Sequence, residues 1–195
     1  MGKRKKSTAA AIATSAENNN SGNNNNNKRA AASCVIPNLL YLGPVEATSN
    51  AAFLTTEKIT HVLSIGRNPT SYIDGIVYER LSLTDREDSN ISFVADRACE
   101  AIDAAVAAKQ GTGRVLIHCV AGISRSPAMV AAYLMKRRGM TLRESLEVLV
   151  RARDTVAPNP GFMRQLCEME KEIFEGESTF DPVVVTANTR LASWL

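Results

Sequence analysis

The alternation of short apolar runs with helical patterns predicts an α/β domain, and three stretches carry that reading. Residues 115–117, Val-Leu-Ile, form a continuous apolar run of the length of a buried strand. A glycine-containing turn and a helical pattern that closes at Gly139 follow it. Residues 60–65 form a second apolar strand, stopping at Gly66, and a long helical pattern at 91–110 separates a strand pattern at 77–83 from the run at 115–117.

Taken in order, the ordered chain is expected to begin near Cys34, with residues 35–43 reading as two short strands around a turn. Residues 45–57 (VEATSNAAFLTTE) read as one helix of moderate amphipathicity. His61 opens the strand at 60–65, where nothing nearby would use an imidazole, and reads as structural. The pattern at 77–83 alternates, and its end runs into a polar loop, Thr84-Asp85-Arg86-Glu87-Asp88-Ser89. The helix at 91–110 places Phe93, Val94, Ala98, Ile102 and Val106 on or near one face, with Asp103 solvated. Residues 129–135 (MVAAYLM) are apolar nearly all round, as a central buried helix should be. Thr141-Leu142-Arg143-Glu144 starts the next helix with a capping box, and that helix runs to about Arg153. Residues 158–166 open the last helix, and residues 176–195 read as a C-terminal tail with an apolar run at 183–185 and an unexplained Trp194.

The chain has 195 residues, enough for one domain of ordinary size with tails. Charge is unevenly spread. Residues 1–32 carry six basic side chains (Lys3, Arg4, Lys5, Lys6, Lys28, Arg29) against Glu17, a net of +5, while the remainder has 17 basic and 19 acidic residues. The folded body is therefore near neutral and is not expected to bind nucleic acid. Asparagine tracts at 18–20 and 23–27 and a shortage of bulky apolar residues mark residues 1–32 as a disordered tail. Its basic run suits a nuclear import signal, an anionic-membrane contact, or solvation alone. The four cysteines (Cys34, Cys99, Cys119, Cys167) form no CxxC pair, and the two histidines, His61 and His118, do not cluster with them, so no zinc site is expected. No signal peptide is visible, and the expected setting is a reducing one, cytoplasmic and/or nuclear.

The chemistry concentrates at residues 113–139. His118 and Cys119 end the apolar run, Gly122 lies in the turn, and Pro127 opens the helical pattern. Backbone N–H groups of such a turn can point inward, and the helix N-terminus adds positive potential, so the turn is an anion cup. Five residues separate Cys119 from Arg125, a spacing that suits a thiolate at the bottom and a guanidinium at the rim gripping two phosphate oxygens. The same groups should depress the thiol pKa and make Cys119 a nucleophile. In an open α/β sheet ligands sit beyond the carboxyl ends of the strands, so the loop after 77–83 should overhang the same rim and offers Asp85 and Asp88 as general acids.

His118-Cys119-Val120-Ala121-Gly122-Ile123-Ser124-Arg125-Ser126 resembles the signature loop of the cysteine-dependent protein phosphatases, HCxxGxxR[S/T], at every fixed position. The I-x-x-x-LYLG stretch at 36–43, the AYLM of 132–135 and Pro158-Asn159-Pro160-Gly161-Phe162 resemble segments of dual-specificity phosphatases. The likeness covers roughly residues 34–175, and it implies an atypical dual-specificity phosphatase with a mainly parallel central sheet of four to five strands flanked by helices. In that family the acid lies six residues before an apolar residue opening the next helix, which Asp85 and Ile91 match and Asp88 does not. Resemblance also implies a loop-orienting role for His118, donation from Ser126 to the departing sulfur, and a bracing role for Asn159 at the phosphate loop.

The reaction so implied hydrolyses phosphotyrosine and phosphoserine or phosphothreonine on proteins through a phosphocysteine. Catalysis falls to Cys119, Arg125, Asp85 and Ser126, and phosphate binding to the loop from Val120 through Ala121, Gly122, Ile123 and Ser124 to Arg125. It calls for no cofactor and no metal, and for a phosphoprotein as partner. The alternatives are a phosphoinositide or RNA 5′-phosphatase on the same scaffold and a non-catalytic phosphoprotein-binding module. The neutral side chains of Val120, Ala121, Ile123 and Ser124 favour protein substrates, because a site for extra phosphates would use lysine there.

Overall fold

The short apolar runs pair into one sheet. A computed structural model describes residues 31–181 and contains five strands: β1 (Ser33–Ile36), β2 (Leu40–Gly43), β3 (His61–Ile65), β4 (Val77–Leu81) and β5 (Val115–His118). Their order across the sheet is β1-β2-β5-β3-β4. Only the β1–β2 pair is antiparallel; the other three pairs are parallel, which matches the mainly parallel sheet expected. Five α-helices surround it: α1 (Ala51–Thr56), α2 (Ser92–Gly111), α3 (Arg125–Arg138), α4 (Leu142–Ala152) and α5 (Pro160–Phe174).

A side-chain period of two divides each inner strand between two cores. Leu42, Ile117 and Leu63 lie side by side in register, and with Leu40, Val115 and Ile65 they pack beneath α2 to α5. Tyr41, Leu116 and Val62 turn to the opposite face, where Ala47, Leu54 and Ile59 cover them. β5 is thus the central strand, buried along its whole length, and it delivers Cys119 from the middle of the sheet. α3 follows at once, with every residue from Ser126 to Met135 buried, and it closes at Gly139 in the left-handed conformation (φ 66°). The capping box of Thr141 and Glu144 opens α4.

Several boundaries differ from the sequence reading. Residues 45–57 are not one helix: a 3₁₀ turn spans Val45–Ser49, and Asn50 then caps the short α1 by accepting from Phe53 N–H at 3.0 Å. The helix after the cup begins at Arg125 rather than Pro127. Pro127 is its third residue, where a missing N–H leaves no intrahelical bond unmade. The strand at 77–83 stops at Leu81, whose carbonyl accepts from Gly66 N–H (2.8 Å) as the neighbouring strand ends. Phe93, read as part of the buried face of its helix, is 74% exposed, and Ala95, Ala98, Cys99, Ile102 and Ala105 supply that face instead.

The domain also runs past residue 175. Phe180 is buried, and the buried carboxylate of Glu170 accepts from Leu142 N–H (2.6 Å), Ser178 Oγ (2.6 Å), Thr179 N–H (2.8 Å) and Thr179 Oγ1 (2.7 Å). These bonds tie residues 178–180 to the start of α4. The tail read over residues 1–32 lies outside the described residues as far as residue 30, as do the apolar run at 183–185 and Trp194.

Candidate active site

The cup keeps its shape because the carbonyls from Cys119 to Ser124 are all hydrogen-bonded. His118 Nδ1 meets Cys119 O at 3.0 Å, and its Nε2 meets Ser64 Oγ at 2.8 Å on β3. A carbonyl only accepts, so Nδ1 carries the proton and Nε2 accepts from the serine. Burial pulls the His118 pKa down, in keeping with a neutral ring. Val45 N–H donates to Val120 O (3.0 Å), and Ala157 N–H to Ile123 O (2.8 Å). Arg153 donates from Nη2 to Ala121 O and from Nε to Gly122 O, both at 3.1 Å. Ser124 O accepts from Ala128 N–H (3.0 Å) in the first turn of α3. With the carbonyls turned outward, the N–H groups are left to face the interior.

Cys119 lies at the bottom, 2% exposed. Burial pushes its thiol pKa up, but the Ser126 hydroxyl and the N–H groups of Ser126, Gly122 and Ile123 together outweigh it, and the pKa ends below the ordinary value. The Ser126 hydroxyl is fully buried and has no other partner: no hydrogen bond of regular geometry engages it, and the nearby sulfur is the group it influences.

Arg125 stands at the rim. Its Nε is buried without a hydrogen bond and lies 3.5 Å from Asp85 Oδ2, a contact of opposite charges rather than a made bond. Space for the guanidinium comes from Gly66: a Cβ there would fall 2.6 Å from Arg125 Nη1 and 2.7 Å from Leu83 O, and its φ of +92° is itself unsuited to a side chain. Gly122 is equally constrained, since a Cβ would meet the Gly43 carbonyl at 2.7 Å.

Of the two aspartates, the fold brings one to the cup. Asp85 Oδ1 accepts from Ser124 Oγ at 2.6 Å and from Asn159 Nδ2 at 2.9 Å. Asp88 instead forms an exposed two-pronged pair with Arg86, both bonds 2.9 Å, and Arg86 accordingly holds its carboxyl below the usual range. Asn159 does more than start a helix. Its Oδ1 caps α5 by accepting from Phe162 N–H (2.9 Å), its own N–H donates to Ser124 Oγ (3.1 Å), and its amide holds Asp85. It therefore braces the loop through its backbone and Asp85 through its side chain. Val120 and Ile123 turn their side chains outward, 37% and 38% exposed, so they form the apolar lip of the cup and only their backbones line it.

Two residues carry no sequence signal for the site. Arg153 has the pattern of a helix end, yet it is 5% exposed, holds two loop carbonyls and also donates to Ala31 O at 2.9 Å. A buried arginine 34 positions beyond Cys119 leaves no local pattern. Gly161, inside the PNPGF segment, packs so closely on the acid loop that a Cβ would lie 2.0 Å from Glu87 O.

This geometry agrees with the comparisons to known proteins. The profile of the dual specificity phosphatase catalytic domain matches residues 40–172. The chain belongs to the dual specificity phosphatase family. It is 39% identical over 142 residues to dual specificity protein phosphatase 1 of Arabidopsis thaliana, covering 72% of this chain and 70% of that protein. It is 37% identical over 135 residues to human dual specificity protein phosphatase 5, covering 69% of this chain and 34% of the relative. Among solved structures, human DUSP28 superposes with a TM-score of 0.66 at 29% identity, covering 73% of this chain and 95% of that one. The human tyrosine phosphatase-like serine/threonine/tyrosine-interacting protein does so at 0.67 and 31%, covering 76% and 100%. The chain is thus an atypical dual-specificity protein phosphatase of the cysteine-dependent superfamily, a hydrolase that works through a cysteine.

Proposed function

We propose that this phosphatase cleaves phosphomonoesters on proteins in two steps, with Cys119, Arg125, Asp85 and Ser126 as the reacting and stabilising groups and with no metal. The observation that carries it is the convergence of a depressed thiol, inward N–H groups and an unfilled arginine Nε beneath a carboxylate held by Ser124 and Asn159. Phosphate entering the cup gives Arg125 the acceptor that Asp85 supplies at long range in the resting site. The Cys119 thiolate attacks phosphorus, the bond to the leaving oxygen breaks, and protonated Asp85 gives that oxygen its proton. Arg125 and the loop N–H groups take up the charge on the equatorial oxygens. Water then attacks the phosphocysteine, Asp85 takes its proton, and the P–S bond breaks while the Ser126 hydroxyl donates to the departing sulfur.

The test is direct. Purified protein should release phosphate from an aryl phosphate in excess chelator, and Cys119→Ser should lower the rate by about four orders of magnitude or more. A requirement for added metal, or turnover that survives the substitution, contradicts the proposal. A phosphatase-like protein named for interaction shares this scaffold, so the second reading is a phosphoprotein-binding module. The presence of both Cys119 and Arg125 favours turnover here.

A further inference from the structure

The last described residues hang on one carboxylate. Glu170 is 1% exposed and accepts from Leu142 N–H on one side and from a short strap, residues 178–180, on the other. The strap supplies Ser178 Oγ (2.6 Å), Thr179 N–H (2.8 Å) and Thr179 Oγ1 (2.7 Å). It also seats Phe180, 4% exposed, whose carbonyl accepts from Cys167 Sγ at 3.4 Å and whose ring lies 6.0 Å from the Arg143 guanidinium. Each strap hydroxyl holds its place by donating a proton to an ionised group. A phosphate in place of that proton gives no such bond and brings a charge of about −1.5 to −2 against the carboxylate.

The two hydroxyls differ in their surroundings. Thr179 Oγ1 also accepts from Arg143 N–H (3.1 Å), and Arg143 Nε donates to Thr179 O (3.2 Å), so a cation and the start of α4 stand beside it. Ser178 Oγ instead faces Glu170 and accepts from Phe180 N–H at 3.3 Å, while Lys171, on the same helix as Glu170, pairs with Glu168 (3.2 Å). The approach is open: residues 174–177 are exposed, Ser178 is half-buried, and Thr179 and Asp181 are exposed. Glu175, Glu177 and Asp181 flank the serine, and no basic residue occurs from 172 to 189. An enzyme reading this stretch needs a basic groove.

We propose that Ser178 is a phosphorylation site whose modification unlatches the strap. The proposal stands apart from the phosphatase reading. A protein kinase moves the terminal phosphoryl group of ATP onto Ser178 Oγ: the new O–P bond forms, the bond to ADP breaks, and a base of the kinase takes the hydroxyl proton. The phosphate then faces buried Glu170, and like charge together with the lost donor drives the strap off, taking Phe180 from its seat.

The experiment uses the full chain with phosphoserine installed at position 178 during synthesis, in the Cys119→Ser background so that the protein cannot remove its own phosphate. Hydrogen exchange at the Thr179 and Phe180 amides should quicken by about tenfold or more, and the urea midpoint should fall. In the Glu170→Gln chain the same phosphate meets an amide that can donate to it, so the quickening it causes there should shrink to about threefold or less. Exchange unchanged by the phosphate, or quickened equally with and without Glu170→Gln, overturns the latch. A kinase selective for acidic sequences, given ATP, should place phosphate on Ser178 of the folded Cys119→Ser chain, read by peptide mass spectrometry. No phosphate at that position overturns the assignment of Ser178 as a modification site.

Discussion

Two loops meet at the carboxyl end of the sheet, and they are held in opposite ways. The phosphate loop is closed from outside: His118, Val45, Arg153 and Ala157 secure its carbonyls, and its cysteine is almost wholly buried. The acid loop at 84–90 is largely exposed. It is secured at a few points: Asp85 on Ser124 and Asn159, the Ser89 carbonyl on Gln165 Nε2 (2.9 Å), and the Glu87 backbone against Gly161. The difference fits the tasks proposed for them. A charge-stabilising cup must be set before phosphate arrives, because reorganising dipoles during the reaction costs barrier height. In the proposed mechanism Asp85 must instead release its resting partners to reach a leaving group, which exchangeable side-chain bonds allow. Ser124 links the two, since its hydroxyl belongs to one loop and donates to the other.

The largest way to break this contrast is to remove the acid. Asp85→Ala should slow turnover of a poor alkyl leaving group by about 10² to 10⁴, with a much smaller loss for an activated aryl phosphate, while Asp88→Ala stays near the unmodified rate. Comparing the two leaving groups in stopped-flow and steady-state assays checks this, and a similar loss in both variants would contradict the assignment.

Arg153→Met tests the closed loop. It strands the Ala121, Gly122 and Ala31 carbonyls and keeps the side chain's bulk, so stability should fall by about 2–3 kcal/mol and KM for an aryl phosphate should rise. Chemical denaturation and steady-state kinetics read both, and Arg151→Met, on the exposed side of α4, is the control. A stable variant with unchanged KM would show that the loop holds itself.

Two smaller effects sharpen the picture. Ser126→Ala removes one of the donors that depress the Cys119 thiol, so the acidic limb of the pH–rate profile, where the thiol loses its proton, should move to higher pH. A roughly tenfold slower breakdown of the phosphocysteine should accompany the shift. A limb that stays in place would remove Ser126 from the thiolate's stabilisation. Glu170→Gln addresses the far end of α5. Burial raises the Glu170 pKa, but Ser178, Thr179 and Leu142 N–H lower it further, so the net shift is downward. A depressed carboxyl stabilises the fold above its unfolded pKa and loses that contribution as pH falls through the folded value. The substitution should therefore cost about 1–2 kcal/mol at neutral pH and progressively less below about pH 4, measured by urea unfolding across that range.

Most of the strands and helices, and the cup itself, were legible in the sequence because their causes are local. An apolar run followed by a glycine turn and a helix start must place N–H groups, a thiol and an arginine around one point, and seven consecutive residues suffice to fix that. The capping box and the left-handed Gly139 are local in the same sense. Spacing to Ile91 singled out Asp85 on the strength of a resemblance; the choice over Asp88 rests physically on bonds to Ser124 and Asn159, 39 and 74 positions away. Arg153 beneath the loop, Gly66 beside Arg125 and the docking of residues 178–180 on Glu170 were not legible. Each depends on which distant backbone arrives alongside, and neither periodicity nor composition encodes that. The sequence alone determined the elements and the thiol at the start of the cup, and only the tertiary structure decided what holds the cup open and which carboxylate leans over it.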